Sequence, residues 1–224
     1  MNRSIAGLCA LAMVTNVFAA GVTLDSDKKK FSYAVGFQIG QSLVRQGVDL
    51  DSEAFLLAIR DAAEGVQPRL TQQELQAALQ AGEAGVAAKL KERASTNLKA
   101  GKDFMAKNKK AEGVTELANG IQYKELRKGS GAMPKATDTV TVHYTGTLID
   151  GREFDSSKRH GEAATLNLGE VIKGWQEVIP LMHTGSRWQV VIPPELAYGP
   201  KGAGSVIGPN ETLIFEIELL DIKK

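Results

Sequence analysis

The prolines divide this chain. Between Ser26 and Gly113 there is a single proline, Pro68, and apolar residues recur at helical spacing; from Val114 onward short alternating runs are broken by Gly, Pro, Asn and Asp. Proline inside a helix removes a backbone hydrogen bond and clashes with the preceding turn, whereas strands read as period-two runs bounded by turn residues. The sequence therefore predicts an α+β protein with segregated halves. Its expected divisions are a signal peptide over 1–20, a helical module over 21–70, a long connecting helix over 71–113 and a β-rich domain over 114–224.

The first twenty residues read as an export signal. Arg3 precedes an apolar stretch from Ile5 to Val14, and small residues follow at a cleavage site near Ala19 or Ala20. Cleavage removes Cys9, the only cysteine, so the exported chain needs no oxidative folding and has no thiol chemistry. The formal net charge of +1 gives no electrostatic footprint for nucleic acid.

Three helices are expected in the first half. The first runs from Ser26 to about Gln46, with Phe31, Val35, Ile39 and Leu43 at i, i+4 spacing and Gly47 as its stop. Gly36 and Gly40 lie on an adjoining face, where missing side chains let another helix approach. The second starts at Asp51 or Ser52 and stops at Gly65. The third opens with the capping-box pattern Thr71 to Glu74 and continues to about Lys110. Its large apolar residues are too sparse for burial along its length, which marks it as a water-exposed spacer. Lys107, Lys109 and Lys110 near its end complement the helix dipole. The first two helices make too little core alone. A second copy of the chain supplies the missing partner, so the module reads as a homodimerisation device; packing onto its own C-terminal domain is the alternative.

In the second half, Val140, Val142 and Tyr144 alternate with Thr139, Thr141 and His143. Trp188, Val190 and Ile192 share one face, as do Leu213, Phe215, Ile217 and Leu219, with Thr212, Glu216 and Glu218 facing outward. Leu166 and Leu168 add to the dry face. The one helical candidate is "VIKGWQEVIPLM", stopped near Pro180. The expected fold is a curved antiparallel sheet wrapped on a single short helix.

The sequence carries no recognisable set of chemical reagents. The glycine-rich stretch from Ala197 to Glu211 contains no Walker loop, and Gly202, Gly204 and Gly208 miss the dinucleotide spacing by one residue. His143, His160 and His183 have no metal-ligand spacing, so no metal site is expected. Ser156 and Ser157 lack an elbow motif and a positioned base. What remains is a concentration of aromatics: Tyr144, Phe154, Trp175, Tyr198 and Phe215.

These residues sit in motifs that carry a resemblance. "VTVHYTGTLIDGREFDSS", "GEVIKGWQEVIPLM", "IPPELAYGPKG" and "TLIFEIELLDI", in order over about 110 residues, resemble the FKBP family of macrolide-binding peptidyl-prolyl isomerases. With its export signal and helical N-terminus, the whole chain is similar to the bacterial macrophage infectivity potentiator subfamily. The resemblance implies an exported homodimer of the periplasm, outer membrane or cell surface. Such a protein isomerises X–Pro bonds in unfolded or partly folded polypeptides and chaperones them without ATP. A chaperone or binding adaptor with isomerisation secondary or lost is the rival. Macrolide inhibitors are implied as ligands, and no cofactor. This fits the lack of reagents: rotation about X–Pro crosses a barrier of about 18–20 kcal/mol without making or breaking a bond.

Carried over to this sequence, the resemblance puts Trp175 at a pocket floor, with Tyr144, Phe154, Val171, Ile172 and Phe215 as walls. It makes the Ile172 N–H and the Tyr198 hydroxyl holders of ligand carbonyls and Asp155 a polar edge, with Asp155 and Tyr198 the catalytic pair. The stretch from Ala197 to Glu211 becomes a flap over the pocket, with Ile207 near its tip. Three positions depart from the family pattern: Ala164 replaces an aromatic wall, His160 a basic residue that pairs with the aspartate, and Ala203 a frequent histidine.

Overall fold

The computed structural model describes residues 22–204 and 206–223. The export signal expected over 1–20 lies outside the described residues. The chain forms two compact units that divide between Ser42 and Leu43, within the first helix.

That helix, α1 (Asp27–Arg45), begins with an acidic residue suited to the positive end of its dipole. Its apolar side chains are in water: Phe31 is 71% exposed, and Tyr33, Val35, Phe37 and Ile39 are exposed as well. Tyr33 and Phe37 stack at i, i+4, their ring centroids 6.0 Å apart. A β-carbon added at Gly36 or Gly40 would meet nothing within 4 Å beyond the helix's own backbone.

The larger unit starts with α2 (Ser52–Ala63), whose N-cap Asp51 accepts from the Ala54 N–H at 2.8 Å. Asp61 near its end is buried and paired with Arg69, at 2.6 and 3.0 Å, which fixes the connection to the next helix. α3 (Gln72–Asn108) opens with the anticipated capping box: the Glu74 N–H donates to Thr71 Oγ1, and the Thr71 N–H donates to Glu74 Oε2. At 1.5 Å per residue its 37 residues span about 55 Å. It is exposed along most of its length, and Gly101 is its one buried residue among those described.

The strands are β1 (Val114–Glu116), β2 (Gln122–Arg127), β3 (Thr139–Leu148), β4 (Glu153–Ser156), β5 (Ala164–Asn167), β6 (Arg187–Ile192) and β7 (Leu213–Lys223). They form one antiparallel sheet in the order β1-β2-β6-β7-β3-β4, with β5 also paired to β3. A bulge between Thr141 and Val142 shifts the β3–β7 register and bends the strand. The inner face buries Val140, Val142, Trp188, Val190, Ile192, Phe215, Ile217 and Leu219 against α4 (Lys173–Val178) and the turn that follows it. A side chain at Gly174 would strike Ile192 at 2.5 Å, so this glycine sets how closely α4 approaches the sheet.

The outer face departs from expectation at one end. Thr212, read as outward and therefore wet, is 1% exposed. It does face outward, but α3 covers it: a side chain at Gly101 would run into Thr212 Oγ1. Gln122 and Val191, paired across β2 and β6, are buried under the same helix. Gln122 ties the seam, donating to Met105 O at 3.0 Å and accepting from Asn108 Nδ2 at 2.9 Å. His143, which alternates with the apolar residues of β3, is half-buried, with Nδ1 3.1 Å from Ser157 Oγ.

Candidate active site

Four strands, α4 with its entry and the loop after β6 converge on one cavity of about 250 Å³. Tyr144 comes from β3, Phe154 and Asp155 from β4, Val171 and Ile172 from the entry to α4, Trp175 from α4 itself, Tyr198 from the loop after β6, and Phe215 from β7; Leu166 and Glu170 complete the wall. Trp175 is 4% exposed and holds the bottom. Tyr144 and Phe215 both meet it edge-on, with centroids 5.2 Å away and interplanar angles of 83° and 80°. Phe154 meets Phe215 in the same way at 5.5 Å. Edge-to-face contacts place the positive rim of one ring on the negative face of the next, so the four rings hold one another's orientation. The Trp175 Nε1–H is buried and has no acceptor among the described residues.

Tyr144, Asp155 and Tyr198 bring polar groups to the same cavity. Tyr144 Oη donates to Asp155 Oδ2 at 2.6 Å, joining the neighbouring strands β3 and β4. Burial, and then this hydrogen bond and the Asp155 charge, push the Tyr144 phenol well above its ordinary range. Burial and the Asp155 charge raise the Tyr198 phenol too. Both therefore remain protonated donors at neutral pH. Behind the wall, buried Ser157 brackets the Tyr144 backbone, accepting from its N–H at 3.1 Å and donating to its carbonyl at 3.3 Å. Gln176 Nε2 donates to Val171 O at 2.8 Å and steadies the opposite rim.

A second cavity, of about 310 Å³, adjoins the first and shares Phe154, Asp155 and Tyr198 with it. Its other walls are Ala203, Gly204, Val206 and Ile207. The flap is a small hairpin: Ala203 and Ile207 exchange backbone hydrogen bonds at 2.9 and 3.2 Å. Ile207 thus closes the hairpin opposite Ala203 and packs on the core. Gly202, at φ 63° and ψ −166°, makes the bend into the hairpin in a conformation closed to residues with a side chain.

Residues 131–220 match the family model described as FKBP-type peptidyl-prolyl cis-trans isomerase, and residues 28–124 match that of the domain amino terminal to it. The chain is 41% identical over 229 aligned positions to the outer membrane protein MIP of Legionella longbeachae, covering 100% of this chain and 98% of that one. It is 42% identical over 201 positions to the FKBP-type 22 kDa peptidyl-prolyl cis-trans isomerase of Escherichia coli K12, covering 89% and 98%. The chain belongs to the FKBP-type peptidyl-prolyl cis-trans isomerases. The crystal structure of FkpA from Escherichia coli superposes with a TM-score of 0.65 at 40% identity, over 90% of this chain and 99% of that one.

In this FKBP-type isomerase every residue expected at the pocket lines one of the two adjoining cavities. Of the departures, Ala164 is half-buried on β5 and Ala203 opens the flap hairpin. The His160 side chain lies outside the described residues. Sequence reasoning missed Leu166 and Glu170 as wall residues, Val206 in the flap, and Ser157 as the clamp on Tyr144. It also missed Gly146, where a β-carbon would lie 2.5 Å from Phe154 Cζ and 2.9 Å from Phe215 Cε1. A glycine inside the strand "VHYTGTL" was the available signal, since such a glycine marks a close approach.

Proposed function

We propose that the isomerase binds the proline ring of an X–Pro segment on Trp175, between Tyr144, Phe154 and Phe215, and lowers the barrier by favouring the twisted amide. The observation that carries this reading is the box of four edge-packed rings, with the Tyr144–Asp155 hydrogen bond and the Tyr198 hydroxyl beside it. An apolar pocket removes water from the amide. The twisted state has lost resonance and carries less charge separation than the planar one, so desolvation favours it, and differential stabilisation of this kind is what accelerates a reaction. The Tyr198 hydroxyl and the Ile172 N–H hold the flanking carbonyls; among the described residues no acceptor is hydrogen-bonded to that N–H. Asp155 acts through Tyr144, whose hydroxyl it holds, and through its charge at the rim.

The expected test is tetrapeptide isomerisation by the chain lacking residues 1–20. It should accelerate relaxation from cis to trans at catalytic concentration. Tyr198→Phe and Asp155→Ala should each lower kcat/KM with the fold intact, by less than the roughly 10²-fold typical of a lost general acid, because no proton is transferred. Wild-type rates in both variants would remove these two residues from the site.

The organisation around the pocket follows from the same reading: export directed by residues 1–20, a homodimerisation module over 21–70, a connecting helix over 71–113 and the isomerase domain over 114–224. Export to the periplasm, with outer-membrane or surface association, is supported by the similarity to the outer membrane protein of Legionella longbeachae. Dimerisation is supported by the exposed apolar side chains of α1 and by a groove of about 830 Å³ between residues 46–50 and α3, lined by Val48, Leu50, Leu79, Val86 and Leu90. Two pockets on long helices are suited to holding unfolded polypeptides without ATP.

A further inference from the structure

The C-terminal stem of the flap is held by α3 as well as by the β domain. Asn97 Nδ2 donates to Pro209 O at 2.8 Å and to Glu211 Oε1 at 3.0 Å. Just before it on the helix, Ala94 O accepts from Asn210 Nδ2 at 3.4 Å. Arg93 lies over Gly208, where a β-carbon would come within 2.8 Å of its Nε. Positions 93, 97 and 101 follow one another at i, i+4 and so form one stripe on α3. Gly208, Pro209, Glu211 and Thr212 beneath that stripe are all buried.

The same stem is tied to the pocket. The Asn210 N–H donates to Gly199 O at 2.9 Å, and Gly199 follows Tyr198 directly. Asn210 has a φ of 55°, the left-handed region in which a residue with a side chain stays only when its surroundings hold it. On the N-terminal side of the stem, one residue, Gly208, separates Pro209 from Ile207, which closes the hairpin over the second cavity. A short chain of contacts thus runs from α3 through residues 208–211 to Tyr198 and to Ile207.

We propose that α3 sets the position of the flap over the proline pocket and that Asn97 is a positioning residue for isomerisation. The inference rests on the reading of this loop as the lip of that pocket. The chemistry is that of one side-chain amide serving two acceptors. Pro209 O and the Glu211 carboxylate are turned to the same NH2 group, and Glu211 is 7% exposed. Removing the amide leaves a buried carbonyl and a buried carboxyl short of a donor, which is costlier than the bond itself was worth. The stem then gains by turning toward water, and it carries the hairpin and the Tyr198 backbone with it. Arg93 adds a lid over Gly208 and partly offsets the burial of Glu211 by its charge.

The test compares three variants of the chain lacking residues 1–20. Asn97→Ala cuts the clamp. Arg93→Ala lifts the guanidinium from Gly208, and because Arg93 is exposed it leaves the fold intact. Asn108→Ala is the control: it loosens the other end of the same helix-to-sheet seam, at Gln122, away from the flap. Amide exchange at Ala203 and Ile207, relative to the amides of β3 and β7, reads flap closure, and tetrapeptide kcat/KM reads the pocket. Asn97→Ala should speed flap exchange by roughly tenfold and lower kcat/KM by roughly three- to tenfold, the scale of one lost hydrogen bond. Arg93→Ala should shift both in the same direction by less, and Asn108→Ala should shift neither. Flap exchange at the wild-type rate in Asn97→Ala and Arg93→Ala, or an equal effect from Asn108→Ala, would overturn the proposal. Were the wild-type chain to show no isomerisation at all, the functional reading would fall, while flap exchange would still report on the clamp.

Discussion

Gly146 shows how much of the site is set by a residue that touches no ligand. It pairs with Asp155 and Phe215 on its two neighbouring strands, and its missing side chain is where the rings of Phe154 and Phe215 meet. Gly146→Ala should push Phe154 off its present orientation, at a cost of about 1–3 kcal/mol in a packed site. Urea denaturation should show that loss alongside lower tetrapeptide kcat/KM; an unchanged Phe154–Phe215 contact and full activity would mean the rings can slide. The two phenols make a prediction about pH. Because the pKa of each is raised, neither loses its proton below the ordinary tyrosine value of about 10, so kcat/KM should be flat from about pH 7 to 9. At higher pH the unfolded chain releases those protons first. The stability they contribute is full below about pH 10 and falls as pH rises through their folded-state values. An alkaline limb in kcat/KM near pH 8 would contradict the assignment.

Among elements, the helices were the most legible in the sequence because their ends carry local chemistry. Thr71 and Glu74 announce the start of α3, and Asp51 that of α2, and both caps form in the structure. The inner strands were legible by alternation. β1 and β2 were not resolved as strands from sequence, because Gln122, Tyr123 and Lys124 show no apolar alternation: Gln122 is a polar residue buried by α3, not by the core. Thr212 misled for the same reason. Periodicity reports which face a residue takes, and it carries no information on what later covers that face. The flap's glycines announced sharp turns, but glycine permits several turn types, so the Ala203–Ile207 pairing was not legible from them. For α1, the apolar stripe was legible and its exposure is what a dimer element requires. Gly40→Leu should weaken self-association: sedimentation of the wild-type chain lacking residues 1–20 is expected at twice the chain mass, and the variant at a lower average mass. A wild-type monomer at micromolar concentration would return the stripe to some other contact.

At the scale of the whole molecule, the two faces of one sheet serve two purposes. The inner face, with α4 against it, builds the ring box; the outer face carries α3, which reaches past the sheet edge to the flap stem. The long helix and the stem of the pocket's lip are thus joined by direct hydrogen bonds. The sequence contained both parts but not their joint, because Asn97 and Glu211 are 114 positions apart. The central claim is that the proline ring sits on Trp175 while its amide twists. Exchange spectroscopy on a proline-containing tetrapeptide with the chain lacking residues 1–20 measures both halves of that claim in one sample. Catalysed cis–trans exchange cross-peaks should appear together with intermolecular contacts from the proline ring protons to the Trp175 indole. Exchange cross-peaks no stronger than those of the free peptide, or catalysed exchange with the ring protons remote from Trp175, would contradict the account.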